Sequence, residues 1–246
     1  MKIKTRQIVV AGLLGGLSHV MAITPWLGFI PVPTPAGSAT TMHIPAILGG
    51  ILEGPVVGAF VGFVFGLSSF LRSTTPFFKN PIIAFGPRIL IGVFAYYAYT
   101  FIGRKYARPV AAAAVGLLIA RLSYESGTLF NTKFAKLASA PTSFQQALHG
   151  LTANSILMVV LALILGAVLG YLTFRLVKSD DAPTAIAAVV GTLTNTVLVL
   201  TLIGVIFHLP ADALWLVGIT QGLPEVLVAV VLTVVVAKGV RRALNR

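Results

Sequence analysis

Four polar side chains that could recognise a small molecule lie within otherwise apolar segments of the sequence: Arg88, Asn195, Gln221 and Glu225. Ionisable and amide groups are costly to insert into a membrane, and they usually face a cavity or a partner side chain. Gln221 and Glu225 are four residues apart and therefore share one face of a helix. We infer that these groups are candidates for binding a charged or hydrogen-bonding ligand.

Each group also has a structural interpretation that involves no ligand. Arg88 and Glu225 could form an ion pair, since a buried carboxylate needs a partner. Thr192 and Asn195 are three residues apart on a helix, so they could converge on a ligand or join neighbouring helices through hydrogen bonds. The sequence leaves both interpretations open.

The composition places these groups in a membrane protein. Of the 246 residues, 57% are hydrophobic and 10% are charged, whereas about a quarter of the residues of a soluble protein are charged. The net charge of +12 comes from short basic clusters between apolar runs. Such clusters are typical of loops that face the cytoplasm, so we do not expect nucleic-acid binding.

Motifs of catalysis and nucleotide binding are absent from the sequence. It contains no cysteine, no GxxxxGK(S/T), no GxSxG and no HExxH, and its four histidines have no metal-ligand spacing. We therefore expect no enzymatic activity, no cofactor and no metal site. The sequence therefore shows no motif for binding or hydrolysing ATP.

The apolar runs predict an all-α polytopic membrane bundle with about eight apolar segments. The first, from Gln7 to Ile23, follows three basic residues, which predicts a cytoplasmic N-terminus. From Ala46 to Gly66, small residues recur at every fourth position and form a ridge suited to close helix packing. The pair Gly54-Pro55 interrupts this run, either as a kink in one helix or as the turn of a hairpin. The hairpin is favoured because it places the basic cluster at residues 104–108 inside.

The stretch 105–181 holds two further apolar segments. Residues 151–172 are long enough to cross a membrane, whereas residues 109–122 are short and could instead form a re-entrant or interfacial helix. Counting both as crossings places the basic C-terminus in the cytoplasm, so we favour eight crossings. The uncharged, proline-rich loop 24–42 then faces outside, where its Trp26 could be a lid over a ligand or part of the aromatic belt.

Three pieces of the sequence carry a resemblance to a known family. In this order, MHIPAILGGILEGPVVGAFVGFVFGLSSF, NPIIAFGPRILIG and GTLTNTVLVL resemble the substrate-binding S components of energy-coupling factor (ECF) vitamin transporters. The resemblance covers residues 5–104 and 182–240. It implies a single membrane domain, residues 1–246, with six core helices in a bacterial cytoplasmic membrane. The sequence departs from the family's pattern at residues 105–181, which we interpret as an inserted helix pair. The implied partners are membrane lipid, a transmembrane coupling (T) component and two ATPase subunits.

The resemblance also implies a ligand and a site. The MHIP, NP and PRILIG pieces are most similar to the pantothenate branch, so the implied ligand is pantothenate or another small water-soluble vitamin or precursor. Ala11 and Gly15 occupy the place of the family's Ala-xxx-Ala helix face, which docks on the T component. The first outer loop is implied to gate the pocket. The candidate substrate-binding residues are Trp26, His43, Asn80, Arg88, Thr192, Asn195, Gln221 and Glu225.

Two other functions are compatible with the residues themselves. The first is a self-sufficient, proton-coupled secondary transporter in which Glu225 carries the proton. The second is a membrane scaffold that binds no ligand. Binding of a vitamin in the absence of ATP would separate the S component from the scaffold, and transport by this chain alone would indicate the secondary transporter.

Overall fold

The computed structural model describes residues 3–24, 27–31, 38–73, 75–134, 143, 146, 149–150 and 153–243. In this part of the chain, helices account for nearly all regular structure, and two short strands form a ribbon. The elements are α1 (Thr5–Ile23), β1 (Phe29–Pro31), β2 (Ser38–Thr40), α2 (His43–Glu53), α3 (Pro55–Arg72), a 3-10 helix (Pro76–Lys79), α4 (Pro81–Phe134), α5 (Ser155–Leu176), α6 (Ala182–Phe207) and α7 (Ala211–Ala243).

Six helical stretches in the described residues are long and apolar enough to cross a membrane. They are Thr5–Ile23, Pro55–Arg72, Pro81–Ile102, Tyr106–Glu125, Ser155–Arg175 and Ala182–Phe207. The shorter apolar helix α2 and the helix α7 bring the apolar segments to the predicted number of about eight. The prediction of an all-α polytopic membrane bundle is confirmed.

The predicted hairpin between α2 and α3 is present. Helix α2 ends at Glu53 and α3 begins at Pro55, where proline fits the first turn because its missing N–H has no helical partner to lose. Gly54 between them has φ 102°, a conformation that only glycine adopts at little cost. The turn therefore depends on the residue types at these two positions.

The ridge of small residues on α3 packs directly on the backbone of α4. A side chain added at Gly58 would meet Gly92, one at Gly62 would meet the carbonyl of Arg88, and one at Gly66 would meet the carbonyl of Ala84. We call this set of contacts the glycine ladder. It brings two helix backbones to the closest approach that small residues allow, and it fixes the backbone of Arg88.

Helix α1 is held against α2 and α3 at the end of the bundle that carries its basic residues. The Arg6 guanidinium forms an ion pair with Glu53, and the Gln7 side-chain amide donates to the Glu53 carbonyl at 2.8 Å. We call this end the basic end, and the opposite end, which carries β1 and β2, the ribbon end. The strands pair antiparallel with Phe29 opposite Thr40.

Helix α4 differs from the prediction at the basic cluster 104–108. A turn was expected there, but the helix continues from Pro81 to Phe134. Arginine, lysine and alanine are strong helix formers, and a single proline at residue 109 removes one hydrogen bond without forcing the chain to reverse. The basic residues therefore do not mark a helix end.

The described chain divides into two compact units, residues 1–104 with 180–246 and residues 105–179. Within the second unit, α4 and α5 pack through small residues, since Gly116 lies against Gly166 and Gly170. Arg108 donates to the Phe174 carbonyl and lies 4.6 Å from the centre of its ring, which satisfies a carbonyl of the last turn of α5. The assignment of residues 105–181 as an insertion stays a prediction.

Candidate ligand site

A buried carboxylate lies near the ribbon end of the first unit. Glu225 on α7 is 6% exposed. Its Oε1 accepts a hydrogen bond from the backbone N–H of Thr40 at 2.7 Å, and its Oε2 accepts one from the Thr196 hydroxyl at 3.4 Å. One side chain thus joins the ribbon, α6 and α7. Oε1 thus has a donor of its own, whereas the Thr196 hydroxyl near Oε2 also donates to the Thr192 carbonyl at 3.3 Å.

Arg88 on α4 is buried to a similar degree, with 4% of its surface exposed. Its guanidinium lies 5.4 Å from the centre of the Phe65 ring and 4.8 Å from that of Phe78, and its Nη1 donates to the Ile83 carbonyl. Its Nε has no hydrogen-bond partner. Aromatic faces and one carbonyl stabilise a cation weakly compared with a carboxylate. The site therefore offers a desolvated cation to an anion.

Arg88 and Glu225 are oppositely charged side chains of this region, and both are buried. The two described side chains do not form the ion pair that the sequence left open, because the Glu225 oxygens are directed to Thr40 and Thr196. The guanidinium is correspondingly free of a carboxylate partner.

His43 and Asn195 belong to the same level of the bundle. Gly191 on α6 lies against Ile47 of α2 and Ala95 of α4. One helical turn from this contact towards the ribbon end stand His43 on α2 and Asn195 on α6, because these two helices run in opposite directions. His43 is 0% and Asn195 6% exposed. The packing of α2 on α6 thus places the two residues at a similar depth in the bundle.

Unpartnered polar atoms concentrate on three side chains, those of His43, Arg88 and Asn195. Among the described residues, eight buried side-chain nitrogen or oxygen atoms have no hydrogen-bond partner, and four of them belong to His43, Arg88 and Asn195. Of the others, the Glu53 Oε1 atom is in the ion pair with Arg6. A buried donor or acceptor without a partner costs about 1–3 kcal/mol, so such atoms require an explanation. These atoms are the reason to treat His43, Arg88 and Asn195 as a candidate ligand site.

The remaining predicted site residues have different surroundings. The Thr192 hydroxyl donates to the Ala188 carbonyl of its own helix at 2.8 Å. The Asn80 side-chain oxygen accepts from the N–H of Ile82 at 3.0 Å and so caps the start of α4. Gln221 is half-buried one turn before Glu225, and Trp26 lies outside the described residues. The described part of the chain contains no group of His, Asp and Glu side chains that could hold a metal ion.

Four residues that contact Arg88 or Glu225 are not among the predicted substrate-binding residues. Phe65 and Phe78 flank the guanidinium of Arg88, and Thr40 and Thr196 bind Glu225. Thr196 follows Asn195 in the motif GTLTNT, so its position was a usable signal. Thr40 contributes a backbone N–H, which every residue except proline carries and which no pattern of side chains can indicate.

Comparison with known proteins decides the family. A family model described as "ECF transporter, substrate-specific component" matches residues 6–237. The chain belongs to this family. S components are transporter subunits, and the family therefore agrees with a multi-pass membrane protein.

Two curated relatives have pantothenate in their names. The S component described here is 35% identical over 95 residues to "Pantothenic acid transporter PanT" of Lactococcus lactis, which is 30% of this chain and 48% of the relative. It is 32% identical over 99 residues to "Pantothenate transporter PanT" of Leuconostoc mesenteroides, which is 37% of this chain and 48% of the relative. The matched part of the chain spans about half the length of each relative.

The small residues of α1 in this S component have two orientations. Gly15 is buried, and a side chain added there would lie 3.4 Å from Val64 and 3.5 Å from Phe60 of α3. Ala11 is partly buried against the hydrophobic cluster that includes Val61 and Phe65 of α3. Gly12 and Gly16 have open space next to them. The predicted docking pair, Ala11 and Gly15, therefore supports the packing of α1 on α3, while the neighbouring pair is accessible.

Proposed function

We propose that this chain is the high-affinity vitamin-binding subunit of an ECF-type importer, with pantothenate or a similar small carboxylate as its ligand. The observation that carries the proposal is the set of buried, unpartnered polar atoms on His43, Arg88 and Asn195. The names of the two matched relatives support pantothenate.

The chemistry of the three side chains matches a ligand with a carboxylate, hydroxyl groups and an amide. Arg88 donates hydrogen bonds and carries a positive charge, which suits a carboxylate. The Asn195 Oδ1 has no partner and can accept a hydrogen bond, and both ring nitrogens of His43 are without a partner and can take part in hydrogen bonds. Hydroxyl and amide groups satisfy both. Pantothenate carries all of these groups.

Energy for transport comes from partners in this proposal. A T component and two ATPase subunits drive the import, and the chain lies in a bacterial cytoplasmic membrane with both termini in the cytoplasm. The basic residues at one end of the bundle support this orientation. The T component contacts α1 along Gly12 and Gly16, next to the exposed side chains of Val9, Leu13 and Val20, because small open residues let a second helix approach closely.

The test is equilibrium binding to the purified full-length chain without ATP. We expect a panel of water-soluble vitamins to give tight binding for pantothenate, detected by calorimetry and by a rise in the melting temperature. Uptake by cells should require the ATPase subunits. The proposal fails if no vitamin stabilises the chain, which indicates a scaffold, or if liposomes with this chain alone show proton-driven uptake, which indicates a secondary transporter.

A further inference from the structure

We propose that Glu225 is a latch: its carboxylate holds the β1–β2 ribbon closed over the ligand site and sets how long the ligand stays bound, without contacting the ligand. The inference rests on the proposed function for the statement that the site binds a vitamin. Its structural part, the tie between ribbon and helix, stands on the contacts of Glu225 itself.

The latch is one buried carboxylate that connects segments far apart in the sequence. Thr40 and Glu225 are separated by 185 positions and joined by a hydrogen bond of 2.7 Å. The bond from Thr196 to the second oxygen is longer, 3.4 Å. The Thr40 bond is therefore the shorter of the two contacts, and it is the one that reaches the ribbon.

Movement of Thr40 would carry a larger part of the ribbon with it. The Thr40 hydroxyl donates to the Gly28 carbonyl at 3.2 Å, the Thr41 N–H donates to the same carbonyl at 3.1 Å, and the Thr41 hydroxyl donates to the Leu27 carbonyl at 2.7 Å. These bonds join the end of β2 to residues 27–28, which precede β1. The ribbon can therefore open or close as one piece around the Thr40–Glu225 contact.

The polar groups of the site divide into two classes by their partners. Glu225 has a donor of its own on Oε1 and the shared Thr196 hydroxyl near Oε2, whereas His43, Arg88 and Asn195 keep atoms without partners. A ligand carboxylate would also be repelled by Glu225 while it is attracted by Arg88. Glu225 is thus occupied by the protein, and the other three side chains remain available to a ligand.

Opening the ribbon has a defined energetic consequence. The Thr40 N–H moves away from the Glu225 carboxylate, which is 6% exposed. Of the two described hydrogen bonds, Glu225 then keeps the longer one, from Thr196. Hydrogen bonds to a charged acceptor are about twice as strong as neutral ones, and an unpaired buried charge is costly. The closed ribbon is therefore favoured, and a ligand beneath it leaves slowly.

The experiment measures ligand dissociation and amide hydrogen exchange on the full-length chain in detergent. Glu225→Leu removes the acceptor, and Glu225→Gln keeps its size without the charge. We expect pantothenate to dissociate roughly 10- to 100-fold faster from the leucine variant and less so from the glutamine variant. The control Thr196→Val removes the long bond to Glu225 and the bond of the same hydroxyl to the Thr192 carbonyl. It leaves the Thr40–Glu225 contact in place and should have a smaller effect.

Exchange of the amides at residues 38–42 supplies a readout that needs no ligand. Both Glu225 variants should exchange faster in this segment than the wild type. The affinity for pantothenate relative to that for its neutral alcohol analogue pantothenol should not fall, because both variants remove a charge that repels the ligand carboxylate. The latch is refuted if the folded glutamine variant shows wild-type exchange and dissociation. It is also refuted if that affinity ratio collapses while exchange stays the same, because Glu225 then contacts the ligand. If the wild type binds no vitamin, the proposed function fails, and exchange still decides whether Glu225 holds the ribbon.

Discussion

Neutralising Arg88 tests the ligand site most directly. In Arg88→Gln the side chain keeps an amide donor but loses the charge that lies between the rings of Phe65 and Phe78. Among the described residues the guanidinium donates to the Ile83 carbonyl and its Nε is unpartnered, so few of these hydrogen bonds are lost with it. The main expected effect is on a ligand that carries a carboxylate.

The size of the effect follows from the burial of the site. Hydrogen bonds to charged groups contribute about 1.5–3 kcal/mol, and Arg88 is 4% exposed, so solvent screens the interaction little. We expect the affinity for pantothenate to fall roughly 10- to 150-fold. Pantothenol, which has a hydroxymethyl group in place of the carboxylate, should lose much less. Arg88→Lys keeps a positive charge but not the planar guanidinium, so its affinity for pantothenate should lie between those of the wild type and Arg88→Gln.

Calorimetry with both ligands measures the two losses on the same preparations. Arg72→Gln is the matched control, since Arg72 is exposed at the end of α3 and should bind both ligands as the wild type does. Melting temperatures must be measured as well, because Arg88→Gln removes the positive charge that opposes Glu225 and could lower the stability of the variant. Equal losses for pantothenate and pantothenol in a folded variant would refute the assignment of Arg88 to the carboxylate.

Three further variants test the fold and the site. Gly62→Ala should destabilise the chain by about 1–3 kcal/mol, because the added methyl group meets the carbonyl of Arg88. The control Gly86→Ala on α4 has open space and should be neutral or stabilising. Equal melting temperatures for the two variants would contradict the glycine ladder. Asn195→Ala should weaken pantothenate binding by about 1–3 kcal/mol, and unchanged affinity in calorimetry would remove Asn195 from the site. Gly16→Leu should block co-purification of the T component while pantothenate still binds, whereas Gly15→Leu should lower the melting temperature by clashing with α3; normal assembly with Gly16→Leu would exclude this face of α1.

The residue types explain which parts of the fold were predictable. The hairpin at Gly54-Pro55 was readable because each of the two residues restricts the backbone by itself. The ridge from Ala46 to Gly66 was readable as a packing surface, but its partner was not, since small residues do not specify which helix approaches them. The continuous helix through residues 104–108 was missed because basic residues serve both as topology signals and as good helix formers.

The site was predictable to a similar extent. Arg88, Asn195 and Glu225 could be selected because polar groups within apolar helices are costly, and the structure places them on neighbouring helices. Their separate surroundings could not be derived, since a carboxylate and a guanidinium in one bundle suggest an ion pair. The partner of Glu225 is the N–H of Thr40, and its choice depends on how the chain folds back between α1 and α2.

The glycine ladder has a consequence for how this binding protein could acquire a different nutrient. Because two backbones touch at Gly62 and Arg88, no side chain is available there whose truncation would widen the gap or whose growth would be tolerated. The backbone position of Arg88 is therefore fixed by this contact. New selectivity has to come from the residues that surround its tip, such as Phe65 and Phe78, and directed evolution of this chain should collect its changes there while the glycines stay constant.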